Sequence, residues 1–187
     1  VFLMEKRLNK MILCVGRKGT GKTTIAQQIA KVSQKKICVI DTDDHPSYSD
    51  FELFNENNLH KWKSGNIRII TSEPEKVLDL LNKKCSNAFI IIEDAAKIVS
   101  ANVQREVKSF IIDHRKRNFD VILMFHFLAD VPPYVAKQYD YMLLFKTGDS
   151  LAVAQNKFAN WHSILPMLQR ILNHPSFNYC EKINVDD

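Results

Sequence analysis

The chain has 187 residues, 45% hydrophobic and 25% charged, proportions that exclude a disordered or fibrous protein. At that length a single fold buries roughly 70% of the surface the unfolded chain exposes, so neither disulfides nor a structural metal is needed to hold it. The net charge of +5 favours an acidic partner such as nucleic acid, although many basic proteins bind none.

In chain order, the first element is the apolar run Met11-Ile12-Leu13-Cys14-Val15, which reads as a strand buried on both faces. It runs into Gly16-Arg17-Lys18-Gly19-Thr20-Gly21-Lys22-Thr23, which fits G-x-x-x-x-G-K-S/T at every defined position. Residues 23–33 follow as a helix, with Ile25, Ile29 and Val32 on one face. A strand, a glycine-rich turn and a helix in that order form a phosphate-binding loop, here Gly16 through Thr24. The glycines let the backbone N–H groups curl inward, and the helix start adds the positive end of its dipole. Lys22 is placed to reach the β- and γ-phosphates of a nucleoside triphosphate, and the Thr23 hydroxyl to ligate magnesium.

Residues 36–41 form a second strand, ending in Asp41-Thr42-Asp43-Asp44-His45. Either one of these acids faces the nucleotide or the stretch is a solvated Asp-rich turn. Residues 43–64 make a long polar and aromatic excursion with Phe51, Leu53, Phe54 and Trp62, and room for a short helix. A third strand covers residues 66–71, and Pro74 opens a helix over residues 74–84. The fourth strand, residues 88–92, is apolar throughout and ends in Glu93-Asp94. A carboxylate at such a strand end can hold the magnesium shell, and a second can polarise the attacking water. Glu93 is assigned the first role and Asp94 the second.

A helix over residues 102–117 carries Val103, Val107, Phe110 and Ile111 at helical spacing and ends in His114-Arg115-Lys116-Arg117-Asn118. Cations are favoured at a helix C-terminus by the dipole. Alternatively, Arg115 or Arg117 is an arginine finger that places charge on the transition state, often from a neighbouring subunit. Residues 121–125 form a fifth strand ending at His126, either a core histidine or a polar group near the γ-phosphate. Residues 141–145 form a sixth. The tail is a helix over residues 161–174, with Pro166 in its first turn and Trp161, Ile164, Leu165, Leu168, Ile171 and Leu172 on one face.

Apolar strands alternating with helices set the class as α/β with a mainly parallel sheet. The four cysteines, Cys14, Cys38, Cys85 and Cys180, form no Cys-x-x-Cys pair, and Cys14 and Cys38 sit in apolar runs. That pattern fits core thiols and a reducing, cytoplasmic setting. No apolar run approaches the ~18–20 residues of a membrane-spanning helix, and no secretory leader is evident.

Together the phosphate loop, Glu93-Asp94-Ala95, the stretch from His114 to His126, Val131-Pro132-Pro133 and the stretch from Asp140 to Lys146 resemble the FtsK–HerA superfamily of DNA-pumping ATPases. That superfamily includes viral genome-packaging ATPases and Zot-like assembly ATPases. The resemblance covers about residues 11–146. It implies a P-loop NTPase fold of the RecA-like (ASCE) kind, a three-layer α/β/α sandwich in one domain over residues 1–187. The core would span about 11–146, with a helical appendage over about 148–187. It further implies ATP and Mg2+ as cofactors, double-stranded DNA as partner and a ring of subunits, six in number. Within that resemblance Arg115 or Arg117 is the finger between subunits, and His126 stands where the sensor strand usually ends in Gln. Glu93-Asp94 inverts the usual Asp-Glu order. Zot-like relatives carry a membrane segment after the ATPase domain, so the lack of one here favours a packaging-type motor, in the host cytoplasm or with the virion.

Three rival classes share the phosphate loop. A ParA/MinD-like partition ATPase has a K-G-G-x-G-K loop, but this chain has Arg17 and Lys18 where that pattern needs Lys and Gly. A small-molecule kinase would need an Arg-rich lid, and residues 43–64 hold no Arg. A nucleotide-binding module without hydrolysis is the third.

Overall fold

The computed structural model describes residues 9–99 and 105–184. The chain runs β1 (Met11–Val15), α1 (Lys22–Val32), β2 (Lys36–Asp41), β3 (Glu52–Phe54), β4 (Asn66–Ile70), α2 (Pro74–Lys84), β5 (Ala88–Ile92), α3 (Arg105–Asp113), β6 (Phe119–Phe125), β7 (Tyr141–Phe145), α4 (Leu151–Gln155), α5 (Trp161–Asn173) and β8 (Cys180–Asn184). All eight strands join one sheet in the order β3-β4-β2-β5-β6-β1-β7-β8. Every neighbouring pair is parallel except β7 and β8.

The apolar strands are explained by cover on both faces. Met11, Leu13 and Val15 pack on one side with Val77, Leu78 and Leu81 of α2, Phe110 and Ile111 of α3, and Ile164, Leu168 and Ile171 of α5. Ile12 and Cys14 pack on the other with Ala26 and Ala30 of α1. Two alanines on α1 let that helix lie close against the sheet. Successive residues of a strand point to opposite faces, so a strand buried on both must be apolar at every position. Each fully buried Leu or Ile contributes roughly 1.5–3 kcal/mol. The three-layer α/β/α architecture expected from the sequence is the one present.

Local signals set the helix ends. Pro74 occupies the first turn of α2, with Glu75 beside it and Lys83 and Lys84 in the last turn, which complements the helix dipole. The helix expected over residues 102–117 is α3 followed by a 3-10 turn over His114–Arg117, and residues 102–104 lie outside the described residues. Asn118 closes that turn at φ +57, a left-handed position asparagine tolerates.

Three features depart from expectation. Residues 43–64 contain the short strand β3, parallel to β4, between 3-10 turns at Pro46–Tyr48 and Leu59–Lys61. Three residues are too few for an alternating pattern to register. The tail is not purely helical, because β8 pairs antiparallel with β7 and extends the sheet. Pro166 is the sixth residue of α5, past the first turn, where the missing N–H removes one helical hydrogen bond.

Candidate active site

The carboxyl ends of the parallel strands meet at one edge of the sheet, where ligands bind in open α/β folds. The phosphate loop leaves β1 there and is stitched to its neighbours. Gly16 N–H donates to the Phe125 carbonyl (3.1 Å), and Arg17 N–H to the Lys146 carbonyl (2.8 Å). A Cβ on Gly16 would stand 2.5 Å from the Phe145 Cβ, so only glycine fits. Gly19 and Gly21 hold φ of +81 and +94, the left-handed region that glycine enters without strain.

Lys22 folds back into the loop. Its ammonium donates to the carbonyls of Gly16 (2.6 Å) and Arg17 (2.9 Å). Burial lowers its pKa, since a desolvated ammonium lacks water's stabilisation. Lys18, Gly19, Gly21, Lys22, Thr23 and Thr24 line a cavity of about 660 Å³, together with residues from the ends of β2, β5 and β6. Gly16, Arg17 and Thr20 do not line it. The N–H groups of Gly16 and Arg17 are spent on strand ends, and Thr20 is buried with its hydroxyl on the Arg17 carbonyl (2.8 Å). These contacts brace the loop.

Glu93 follows β5 across the cavity. One oxygen, Oε1, accepts from both the Thr23 hydroxyl (3.0 Å) and the Tyr48 hydroxyl (2.6 Å). Tyr48 is fully buried, and burial followed by the charge of Glu93 pushes its phenol pKa up, so it stays a proton donor. Asp41 sets up this contact. Its carboxylate accepts from the N–H groups of Asp43 (3.0 Å) and His45 (2.6 Å), folding the chain into the turn that carries Tyr48. The Asp-rich stretch is thus a structured turn: Asp43 pairs with Lys97 (2.6 Å) and Asp44 with Arg68 (2.6 Å). Nothing local in the sequence links Tyr48 to the site.

Asp94 follows at φ +47. Its carboxylate meets Lys97 Nζ at 2.9 Å and His126 Nε2 at 3.8 Å, so Asp94 and His126 converge on the cavity. Lys97 bridges Asp94 and Asp43, and these hydrogen bonds, the one to Asp43 foremost, raise its pKa to about 12.

Arg115 and Arg117 lie elsewhere. They precede β6, whereas the phosphate loop meets the far end of that seven-residue strand. At ~3.3 Å per residue the two ends stand about 20 Å apart. Arg115 pairs with Asp140 (2.6 Å) at the start of β7, and the Arg117 carbonyl accepts from Asn87 N–H (2.9 Å). Neither arginine reaches the cavity of its own chain, contrary to a reading in which the finger acts within one subunit.

The donor set suits magnesium bound together with a nucleotide. Thr23 and Glu93 offer two hard oxygens within hydrogen-bond reach of each other beside the phosphate loop, and Mg2+ commonly takes one or two protein oxygens plus phosphate and water. The described residues hold no cluster of three or more His, Cys, Asp or Glu side chains that would form a metal cage. No helix among them is long and apolar enough to cross a membrane.

The chain is similar to several known proteins. The fold is similar to that of the genome packaging NTPase B204 from Sulfolobus turreted icosahedral virus 2 in complex with ATP-gammaS, with a TM-score of 0.76, 18% identity, and 95% of this chain and 93% of that one covered. The DNA-packaging ATPase B204 from Sulfolobus Turreted Icosahedral Virus matches with the same values. Among curated proteins, an adenylate kinase isoenzyme 6 homolog from Schizosaccharomyces pombe is 34% identical over 95 residues, 48% of this chain and 45% of that protein. A pachytene checkpoint protein 2 homolog from Danio rerio is 26% identical over 94 residues, 50% of this chain and 21% of that protein. The chain therefore spans less than half the length of the curated relatives it matches. The model of the ATPase family associated with various cellular activities (AAA) matches residues 12–130, from β1 to the turn after β6 and so across both the phosphate loop and the Glu93-Asp94 strand end. The chain is a P-loop ATPase and belongs to the AAA family.

Proposed function

We propose that this chain is a motor subunit of the FtsK–HerA kind, which hydrolyses ATP with Mg2+ to move double-stranded DNA through a ring of subunits, six in number. The observation that carries the reading is the split of the site. Lys22, Thr23, Glu93, Asp94 and His126 gather at one edge of the sheet, and Arg115 and Arg117 sit at the other. A finger so placed serves a neighbouring subunit, and a ring supplies each site with one. Fold likeness to viral packaging NTPases and the net charge of +5 support DNA as the polymer moved.

In this reading Lys22 leaves the loop carbonyls for the β- and γ-phosphates, and Thr23 and Glu93 hold the magnesium ion. The ion neutralises phosphate charge when bound. Tyr48 keeps the Glu93 carboxylate oriented. A water between Asp94 and the γ-phosphate loses a proton to the Asp94 carboxylate as its oxygen bonds to phosphorus. The bond from phosphorus to the bridging oxygen breaks, and ADP and inorganic phosphate leave. His126, beside Asp94, reports whether the γ-phosphate is present. Arg115 or Arg117 of the next subunit adds positive charge at the transition state.

The test is the ATPase rate per subunit against protein concentration, with and without double-stranded DNA. A rate that rises with both supports the motor. A rate indifferent to both leaves an ATPase and removes the motor. Phosphoryl transfer to AMP in place of water would favour a kinase, the class of one curated relative.

A further inference from the structure

Glu93, Asp94 and His126, at the ends of β5 and β6, line the phosphate cavity, as does Gly19 of the loop. The segment joining α5 to β8 passes beside Gly19. The Cε1 atom of Phe177, in that segment, lies 3.9 Å from the point a Gly19 Cβ would occupy.

Phe177 is 48% exposed, so much of its ring forgoes the burial a phenyl side chain ordinarily gains. The segment that carries it is nevertheless braced. Lys146 Nζ donates to the His174 carbonyl, and His174 stacks on Tyr179 with ring centroids 3.8 Å apart and planes 14° from parallel. Beyond them β8 pairs with β7 from Cys180 opposite Phe145. Lys146 also holds the phosphate loop, because its carbonyl accepts the Arg17 N–H at 2.8 Å. Lys146 thus ties the segment that carries Phe177 to the phosphate loop.

In the mechanism proposed above the γ-phosphate lies toward Asp94 and His126, which leaves Gly19 and the ring beside it for the rest of the nucleotide. We propose that Phe177 is the nucleobase platform of the site, stacking its ring face on the purine of ATP. The proposal rests on reading the cavity as an ATP site. An aromatic face stacks on any base and more strongly on a larger one, so the platform distinguishes a nucleotide from a bare polyphosphate and favours purines. The segment lies outside the stretch from residue 12 to 130 that matches the AAA family, so this contact belongs to the C-terminal part of the chain.

The experiment is calorimetric titration of the full chain with ATP and with inorganic tripolyphosphate, each with magnesium, for the wild type and for Phe177→Ala, Phe177→Trp and Lys22→Ala. Phe177→Ala is expected to weaken ATP binding about 10-fold, the scale of one base–aromatic stack, and to leave tripolyphosphate binding unchanged. Phe177→Trp is expected to keep ATP affinity and to show indole fluorescence quenched by ATP but not by tripolyphosphate, relative to the wild-type signal of Trp62 and Trp161. Lys22→Ala is expected to lose both ligands. ATP binding by Phe177→Ala at wild-type strength, or equal weakening for both ligands, overturns the platform while the phosphate site stands. Retention of both ligands by Lys22→Ala overturns the phosphate-loop reading itself, and the platform with it.

Discussion

Tyr48 and Glu93 are joined by a 2.6 Å hydrogen bond, and the oxygen that accepts it also accepts from Thr23 of the phosphate loop. Three elements far apart in sequence thus converge on one carboxylate oxygen: the turn after β2, the end of β5 and the start of α1. The buried phenol stays protonated and donates to the carboxylate, which holds Glu93 beside Thr23.

Tyr48→Phe removes that donor and little volume. The expected result is a raised magnesium requirement and a turnover lower by roughly 10–100-fold, the scale seen when groups supporting a metal ligand are removed. Magnesium titrations of ATPase rate, with thermal melts to confirm folding, check it. An unchanged magnesium dependence would falsify the orienting role.

Gly16→Ala tests the seam between β1 and β7. Its new methyl meets the Phe145 Cβ at 2.5 Å, in a strand fixed by both neighbours. Relief requires the loop to leave the strand ends. A loss of about 1–3 kcal/mol in stability is expected, with loss of ATP binding. Thermal or urea unfolding measures the first, and a melt like that of the wild type would contradict the close approach.

Arg117→Ala and Arg115→Ala are expected to bind ATP normally and to turn it over slowly, by ~10³-fold for whichever is the finger. Arg115 also pairs with Asp140 at the surface, which is worth about 0–1 kcal/mol, so that variant should melt slightly lower. Mixing the inactive finger variant with Asp94→Asn should restore part of the activity, since mixed assemblies contain sites with both groups intact. No recovery at any mixing ratio would argue that sites are not shared.

His114 anchors the turn bearing both arginines. It is buried, its Nδ1 lies 2.8 Å from the Ile111 carbonyl, and its Nε2 has no hydrogen-bond partner among the described residues. Burial lowers its pKa below the ordinary 6.5. The unfolded chain therefore binds a proton on this group before the folded chain does. Stability from neutral His114 is present above pH 6.5 and declines as pH falls from 6.5 toward the lowered folded value. His114→Asn keeps a donor for Ile111 without the titration, and its melting temperature should fall less between pH 7 and pH 5 than the wild type's. Equal slopes would place the acid sensitivity elsewhere.

Much of the fold is legible from single residues and their neighbours. The strands β1, β2, β5 and β7 stand at the boundaries their apolar runs mark, and Pro74 starts α2 where its fixed φ suits a first turn. The short β3 and the edge strand β8 are not legible. Both are held by pairing with β4 and β7, and their own patterns, Glu52-Leu53-Phe54 and Cys180-Glu181-Lys182-Ile183-Asn184, announce little. Within the site, Lys22, Thr23 and Glu93 follow from motif and strand end. Gly16, Arg17 and Thr20 belong to the same loop, yet only the folded structure shows the hydrogen bonds that tie them to the strand ends and to one another.

The sequence by itself determined a parallel α/β sheet, a phosphate loop between β1 and α1, and a pair of acids at a strand end. Each is written in residues a few positions apart, where periodicity, backbone freedom and helix dipoles act. Tertiary structure alone decided that Tyr48 supports Glu93, that Arg115 and Arg117 stand at the opposite sheet edge, and that Phe177 lies beside Gly19. Strand order and the packing of both faces bring those residues together or keep them apart, and no local pattern records a contact made across the sheet.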